Sequence, residues 1–156
     1  MSSQESITIA IPEFFCHSVV SSLSHLNVKF VLYKCDDSLV PDSDSVLKLL
    51  HNTDLNFFIH VHYFGLYRRM HKNLLKALRK CNVLIIEDCV HSSKYPTKSV
   101  PFGDVLIFSL YKHLSLPYGS LVVFRKSFND YFHDVPQSII PFDGPYFPDL
   151  SHKLYL

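Results

Sequence analysis

Three residue types recur here in an order that can do chemistry. The apolar run Val83-Leu84-Ile85-Ile86 stops at Glu87-Asp88, and a second run, Val105-Leu106-Ile107-Phe108, stops at Ser109-Leu110-Tyr111-Lys112. Short branched runs of this kind read as buried parallel strands. Open α/β sheets bind ligands at the carboxyl ends of such strands. An acid, a hydroxyl and an amine can therefore project from one sheet edge. A cofactor with a basic ring nitrogen, a phosphate and an aldehyde would need that set.

The surrounding elements must hold those ends in place. Ile7 to Ile11 reads as a strand stopped by Pro12, and Cys16 to Leu26 as a helix with Val19, Val20, Leu23 and Leu26 on one face. Val28 to Tyr33 is a second strand. Asp44 or Ser45 can cap a helix running to about His51, with Val46, Leu47, Leu49 and Leu50 as its apolar set. Asn56 to Val61 is a third strand, and Gly65 allows the close turn after it. Tyr67 to Lys80 is an amphipathic helix with Met70, Leu74, Leu75 and Leu78 inward and a solvated basic face outward. Asn82 to Glu87, Asp104 to Phe108 and Ser120 to Phe124 complete the strands, and His91 to Pro101 is a polar loop. This alternation predicts an α/β fold with a mainly parallel, doubly wound sheet. The link from Ser109 to Gly119 is too short for a helical crossover, so the final strand should be antiparallel. Residues 1–126 should form the core, and residues 127–156, with Pro136, Pro141, Pro145 and Pro148 among aromatics, an irregular tail.

Composition narrows the classes. Of 156 residues, 47% are apolar and 19% charged, which favours an ordered fold. A net charge of +1, with no basic aromatic-interleaved patch, gives no reason to expect nucleic acid or an anionic membrane as partner. The polar start MSSQES precedes a run too short for a signal or a span. Cys16, Cys35, Cys81 and Cys89 form no CxxC, so free thiols and a cytoplasmic setting are expected. Four glycines leave no glycine-rich phosphate loop. Any phosphate must then be held by side chains or a helix N-terminus. His60-x-His62 with His91 or Cys89 could suggest zinc, but no metal site is expected.

The segments HVHYFGLYRRMHKNLLKALRKCNVLIIEDCVHS and FGDVLIFSLYKHLSLPYGSLVVF, with the earlier IPEFFCHSVV, resemble the DegT/StrS group of fold-type I aminotransferases. The resemblance runs from about Ile7 to Arg125. It implies pyridoxal 5′-phosphate (PLP) as cofactor, an amino-acid donor, a nucleotide-linked keto-sugar acceptor, and a homodimer or a complementing chain. Residue by residue, it implies that Asp88 faces the pyridine nitrogen and favours its protonated form. His91 would lie near the ring, Ser109 would bond the phosphate, and Lys112 would form the Schiff base and shuttle the proton. Departures are visible. Lys112 follows Ser109 by three residues where many members have a longer spacing, and Cys16, with Phe14 and Phe15 nearby, stands where a ring-stacking aromatic often does. An N-terminal segment cradling the phosphate and a C-terminal small domain are also expected to be missing.

Each residue alone has a plainer explanation: Asp88 or His91 capping a turn, Lys112 on the surface, Ser109 bonding its own backbone. Glu87-Asp88 with a later Ser and Lys also matches the acidic pocket of a phosphoacceptor receiver domain, but the tail composition and the HxHYFG turn do not suit that fold. The remaining alternative is a catalytically degenerate remnant of the aminotransferase fold acting as an interaction module.

Overall fold

The computed structural model describes residues 6–93, 100–115, 117 and 119–125, and the backbone of 139–142. Strands β1 (Ile7–Pro12), β2 (Val28–Tyr33), β3 (Phe57–Val61), β4 (Leu84–Asp88), β5 (Val105–Ser109), β6 (Ser120–Arg125) and β7 (Ile139–Phe142) hydrogen-bond in the order β2-β1-β3-β4-β5-β6-β7, with β1–β2 and β1–β3 parallel, β5–β6 antiparallel and β6–β7 parallel. The chain divides into two compact units, Met1–Val61 with Arg68–Ile86, and His62–Tyr67 with Glu87–Leu156.

The first unit holds β1 (Ile7–Pro12), α1 (His17–Leu23), β2 (Val28–Tyr33), α2 (Ser43–Asn52), β3 (Phe57–Val61), α3 (Lys72–Lys80) and the start of β4 (Leu84–Asp88). Its core is apolar and aromatic: Ala10, Val46, Phe58, Leu74, Leu78 and Ile85 are buried. The Tyr33 ring stacks on Phe58 at 4.6 Å, and its hydroxyl donates to the Ile59 carbonyl at 2.7 Å. That bond satisfies the one polar atom that burying a tyrosine brings inside.

Helix boundaries differ from expectation for local reasons. α2 is capped by Asp42, whose carboxylate accepts from the Ser45 amide at 2.7 Å, rather than by Asp44 or Ser45. The Ser45 hydroxyl is already engaged with the Lys34 amide. α3 starts at Lys72 rather than Tyr67. The His60 ring donates to the Arg68 carbonyl at 2.8 Å, taking the acceptor that a longer helix would offer its own amides. Of the expected inward residues, Leu74 and Leu78 are buried on α3, Met70 is buried ahead of it, and Leu75 is only partly buried. Asn82, expected to open β4, instead closes α3 with φ +56, and the Val83 amide returns to the Leu78 carbonyl. α1 ends at Leu23, and none of its residues is buried; Val19 stays exposed, as does Leu26 beyond it.

The second unit contains a short 3-10 turn (Tyr63–Gly65), the end of β4, β5 (Val105–Ser109), β6 (Ser120–Arg125) and β7 (Ile139–Phe142). Cys89, Leu106, Phe108, Leu121 and Val123 form its core, with Tyr67 and Leu110 packed against it. β6 runs antiparallel to β5, as the short link requires. β7 lies within the stretch expected to be irregular. Its Pro141 pairs with Phe124 at the sheet margin, where a residue without an N–H is tolerated. The expected boundary at residue 126, residues 94–99 of the polar loop, and Pro136, Pro145 and Pro148 lie outside the described residues.

Candidate active site

Alternation along β4 and β5 sorts the site. Cys89 packs with Leu106 and Phe108, so those residues share one face, and Glu87 belongs to it. Asp88, Ile107 and Ser109 then share the other face. The Cys89 amide donates to the Ile107 carbonyl at 2.8 Å and ties the end of β4 to β5. Asp88 and Ser109 therefore lie at neighbouring strand ends on one side of the sheet.

Asp88 is half-buried, and its carboxylate accepts from the Val90 amide at 3.1 Å. Burial lifts its carboxyl above the ordinary 3.8. The Val90 amide and the positive charges of His91, Lys112 and His62 pull in the opposite direction without cancelling that rise. A partly desolvated carboxylate in this state gains from a further cationic partner. His91 is exposed in the turn after β4. Its carbonyl lies so close to Gly65 (φ +74) that a Cβ there would approach it to 2.6 Å. Phe64, beside Gly65, also has positive φ and is 69% exposed.

Ser109 ends β5 opposite Ser120. It is 5% exposed, and its hydroxyl has no hydrogen-bond partner among the described residues. Buried hydroxyls are rarely left so. Lys112 is exposed on one helical turn, closed by the Leu114 amide on the Leu110 carbonyl at 2.8 Å. Gly119 (φ +134) returns the chain, and its carbonyl accepts from the Leu110 amide at 3.0 Å. Phe14 and Cys16 belong to the first unit, where both are exposed.

Glu87 is not a rim carboxylate. It is fully buried, with one oxygen 2.9 Å from His62 Nε2 and the other accepting from the Phe102 amide at 2.8 Å and from the Gly103 amide. The His62 ring packs at a tilt against Tyr67 at 4.6 Å and is met edge-on by Phe102 at 6.2 Å. The unbroken apolar run before Glu87 hid which strand face is inward; in the structure Glu87 shares the buried face with Ile85, where a carboxylate requires a partner. Among the described residues no group of three or more His, Cys, Asp or Glu side chains is arranged to hold a metal, and no helix is long and apolar enough to cross a membrane.

No protein-family model and no curated protein matches the chain. Solved structures do resemble it. An aminotransferase from Psychrobacter cryohalolentis matches with a TM-score of 0.55 at 18% identity, over 67% of this chain and 27% of that one. The aminotransferase TlmJ from Streptoalloteichus hindustanus matches at 0.52 and 17%, over 67% and 29%. The Escherichia coli GDP-4-keto-6-deoxy-D-mannose-3-dehydratase, solved with hydrated PLP, matches at 0.56 and 15%, over 68% and 28%. The chain thus has the fold of PLP-dependent transferases, with mostly parallel strands and one antiparallel pairing. It spans less than a third of the length of each of these three proteins.

Proposed function

We propose that this chain is the large-domain portion of a PLP-dependent aminotransferase related to the DegT/StrS group, moving an amino group from an amino acid to a nucleotide-linked keto sugar. The observation that carries the reading is the buried Ser109 hydroxyl, without a hydrogen-bond partner among the described residues, on the same sheet face as Asp88. An orphaned donor beside an under-compensated carboxylate suits a ligand bearing both a phosphate and a protonated ring nitrogen.

When bound, PLP supplies an electron sink for the carbon that loses its proton. The chain's own residues supply the rest. Asp88 would face the ring nitrogen and keep its proton in place. The Ser109 hydroxyl would donate to a phosphate oxygen. His91 would border the ring on the side of its phenolic oxygen. Lys112 would hold the cofactor's aldehyde carbon through its amine and, once released, carry a proton between substrate and cofactor. Only a primary amine can make and break that link, which singles out lysine. On this reading the protein works in the cytoplasm, as a homodimer or with a complementing chain.

The test is to incubate the protein with PLP, reduce with borohydride and map the mass shift. Modification of Lys112 is expected. Modification of a different lysine, or none, overturns the reading.

A second reading has its own support in the first unit. α1 buries none of its residues, and Leu32 on β2 is 57% exposed. A non-catalytic interaction module would leave such surfaces for a partner. Light scattering that shows a stable monomer with a normal PLP-modified Lys112 would exclude this version.

A further inference from the structure

Glu87 gathers three parts of the second unit onto one carboxylate. His62 comes from the turn after β3, Glu87 from the end of β4, and Phe102 and Gly103 from the segment before β5. All three donors point at a side chain that is 0% exposed. The backbone closes the same circuit, because the His62 amide donates to the Asp88 carbonyl at 2.9 Å. Asp88 is thus gripped from both sides. Its neighbour's side chain is anchored beneath the sheet, and its own carbonyl is anchored to the residue carrying the anchoring imidazole. The Arg125 side chain and amide extend the hold, donating to the Gly103 and Asp104 carbonyls at 3.1 and 3.0 Å.

This is more than a buried polar group needs. Two backbone amides already satisfy one Glu87 oxygen, and a smaller apolar residue at both positions would avoid the desolvation altogether. Buried hydrogen-bonded polar pairs of this kind serve best where a unique arrangement must be specified, and here the arrangement specified is that of the rim acid. We infer that the His62–Glu87 pair is a positioning latch, acting through the end of β4 to fix the orientation of the Asp88 carboxylate toward a cationic ring. The ligand in this inference rests on the proposed function; the latch itself does not.

Two measurements test it separately. In the ligand-free wild-type protein, the amides of His62, Phe102 and Gly103 should exchange with solvent as one unit, at a shared protection level. Protection levels that differ by more than about tenfold would overturn the latch. The second measurement is PLP affinity in a double-mutant cycle. His62→Phe keeps the ring stacking but loses the donor, and should weaken PLP binding on the order of tenfold. His62→Gln restores a donor at nearly the same place, and should recover most of that loss. In the Asp88→Asn background, His62→Phe should add little, because the residue it acts through is already lost. Losses that multiply would mean that His62 acts independently of Asp88 and would overturn the inference, as would a folded His62→Gln variant without rescue. If the wild-type protein takes up no PLP, the functional reading falls, while the exchange data still decide the latch.

Discussion

Replacing Ser109 by alanine should push stability and cofactor affinity in opposite directions. The hydroxyl is buried, and no described residue bonds it. Leaving such a group unsatisfied costs about 1–3 kcal/mol in the ligand-free protein. Alanine removes that cost and leaves a gap smaller than a methyl group, worth under about 1 kcal/mol. The net expectation is a stabilisation of roughly 0.5–2 kcal/mol, or an increase in Tm of about 2–6 °C for a chain of this size. The same change removes a charge-assisted hydrogen bond to phosphate, worth about 1.5–3 kcal/mol. PLP affinity should therefore fall roughly 10- to 150-fold. Calorimetry without ligand gives the first quantity, and a fluorescence titration with PLP the second. A Ser109→Ala protein that melts lower would refute the reasoning, because the hydroxyl would then have a partner in the ligand-free state. Unchanged PLP affinity would refute the phosphate role.

Asp88→Asn should also stabilise the ligand-free protein, with a defined pH dependence. Burial raises the Asp88 carboxyl above 3.8, so the folded state binds the proton more tightly than the unfolded chain does. A raised pKa contributes stability that is present below the unfolded value and lost as pH rises through the folded value. The variant should therefore melt higher than wild type at neutral pH, and the gap should close near and below pH 3.8. A Tm gap that stays constant across that range would count against the shift. Gly65→Ala must accept a left-handed backbone at about 1–2 kcal/mol and displace the His91 carbonyl, so Tm should fall by roughly 3–6 °C. A melting point equal to wild type would show that the turn can relax. The thiols should separate into two classes under iodoacetamide, read by mass spectrometry. Cys16 and Cys81 are exposed and should label first. Burial and the nearby acids Asp36, Glu13 and Asp42 push the Cys35 thiol up to about 11, and burial raises Cys89 as well, so both should lag. Equal rates at all four cysteines would contradict this.

Strands β1 to β6 were legible because each short apolar run announces itself without help from distant residues. Val28–Tyr33 was placed to the residue, and the carboxyl ends of β4 and β5 fell one position beyond expectation, while β4 begins two positions later than expected. What the sequence concealed came from contacts between segments far apart along it. The length of α3 was set by the His60 ring on the Arg68 carbonyl, which no periodicity contains. β7 is four residues long with a proline inside, and its pairing with β6 joins residues separated by a long stretch. Asp88 and Ser109 could be assigned to neighbouring strand ends, but whether their side chains share a face depends on register. Glu87 looked like a second rim acid because the dipeptide alone does not say which carboxylate points inward. Cys89, two positions on and packed with Leu106, settles it.

The three-donor carboxylate also has a consequence for the order in which the chain assembles. Glu87 cannot be fully satisfied until Phe102 and Gly103 have been synthesised, so during translation the end of β4 stays unlocked while the preceding residues are already available. A nascent chain arrested before Gly103 emerges should be cut readily by protease between residues 62 and 67. One arrested after β6 has emerged should resist, and equal cleavage of both would show that this segment closes without its carboxylate hub.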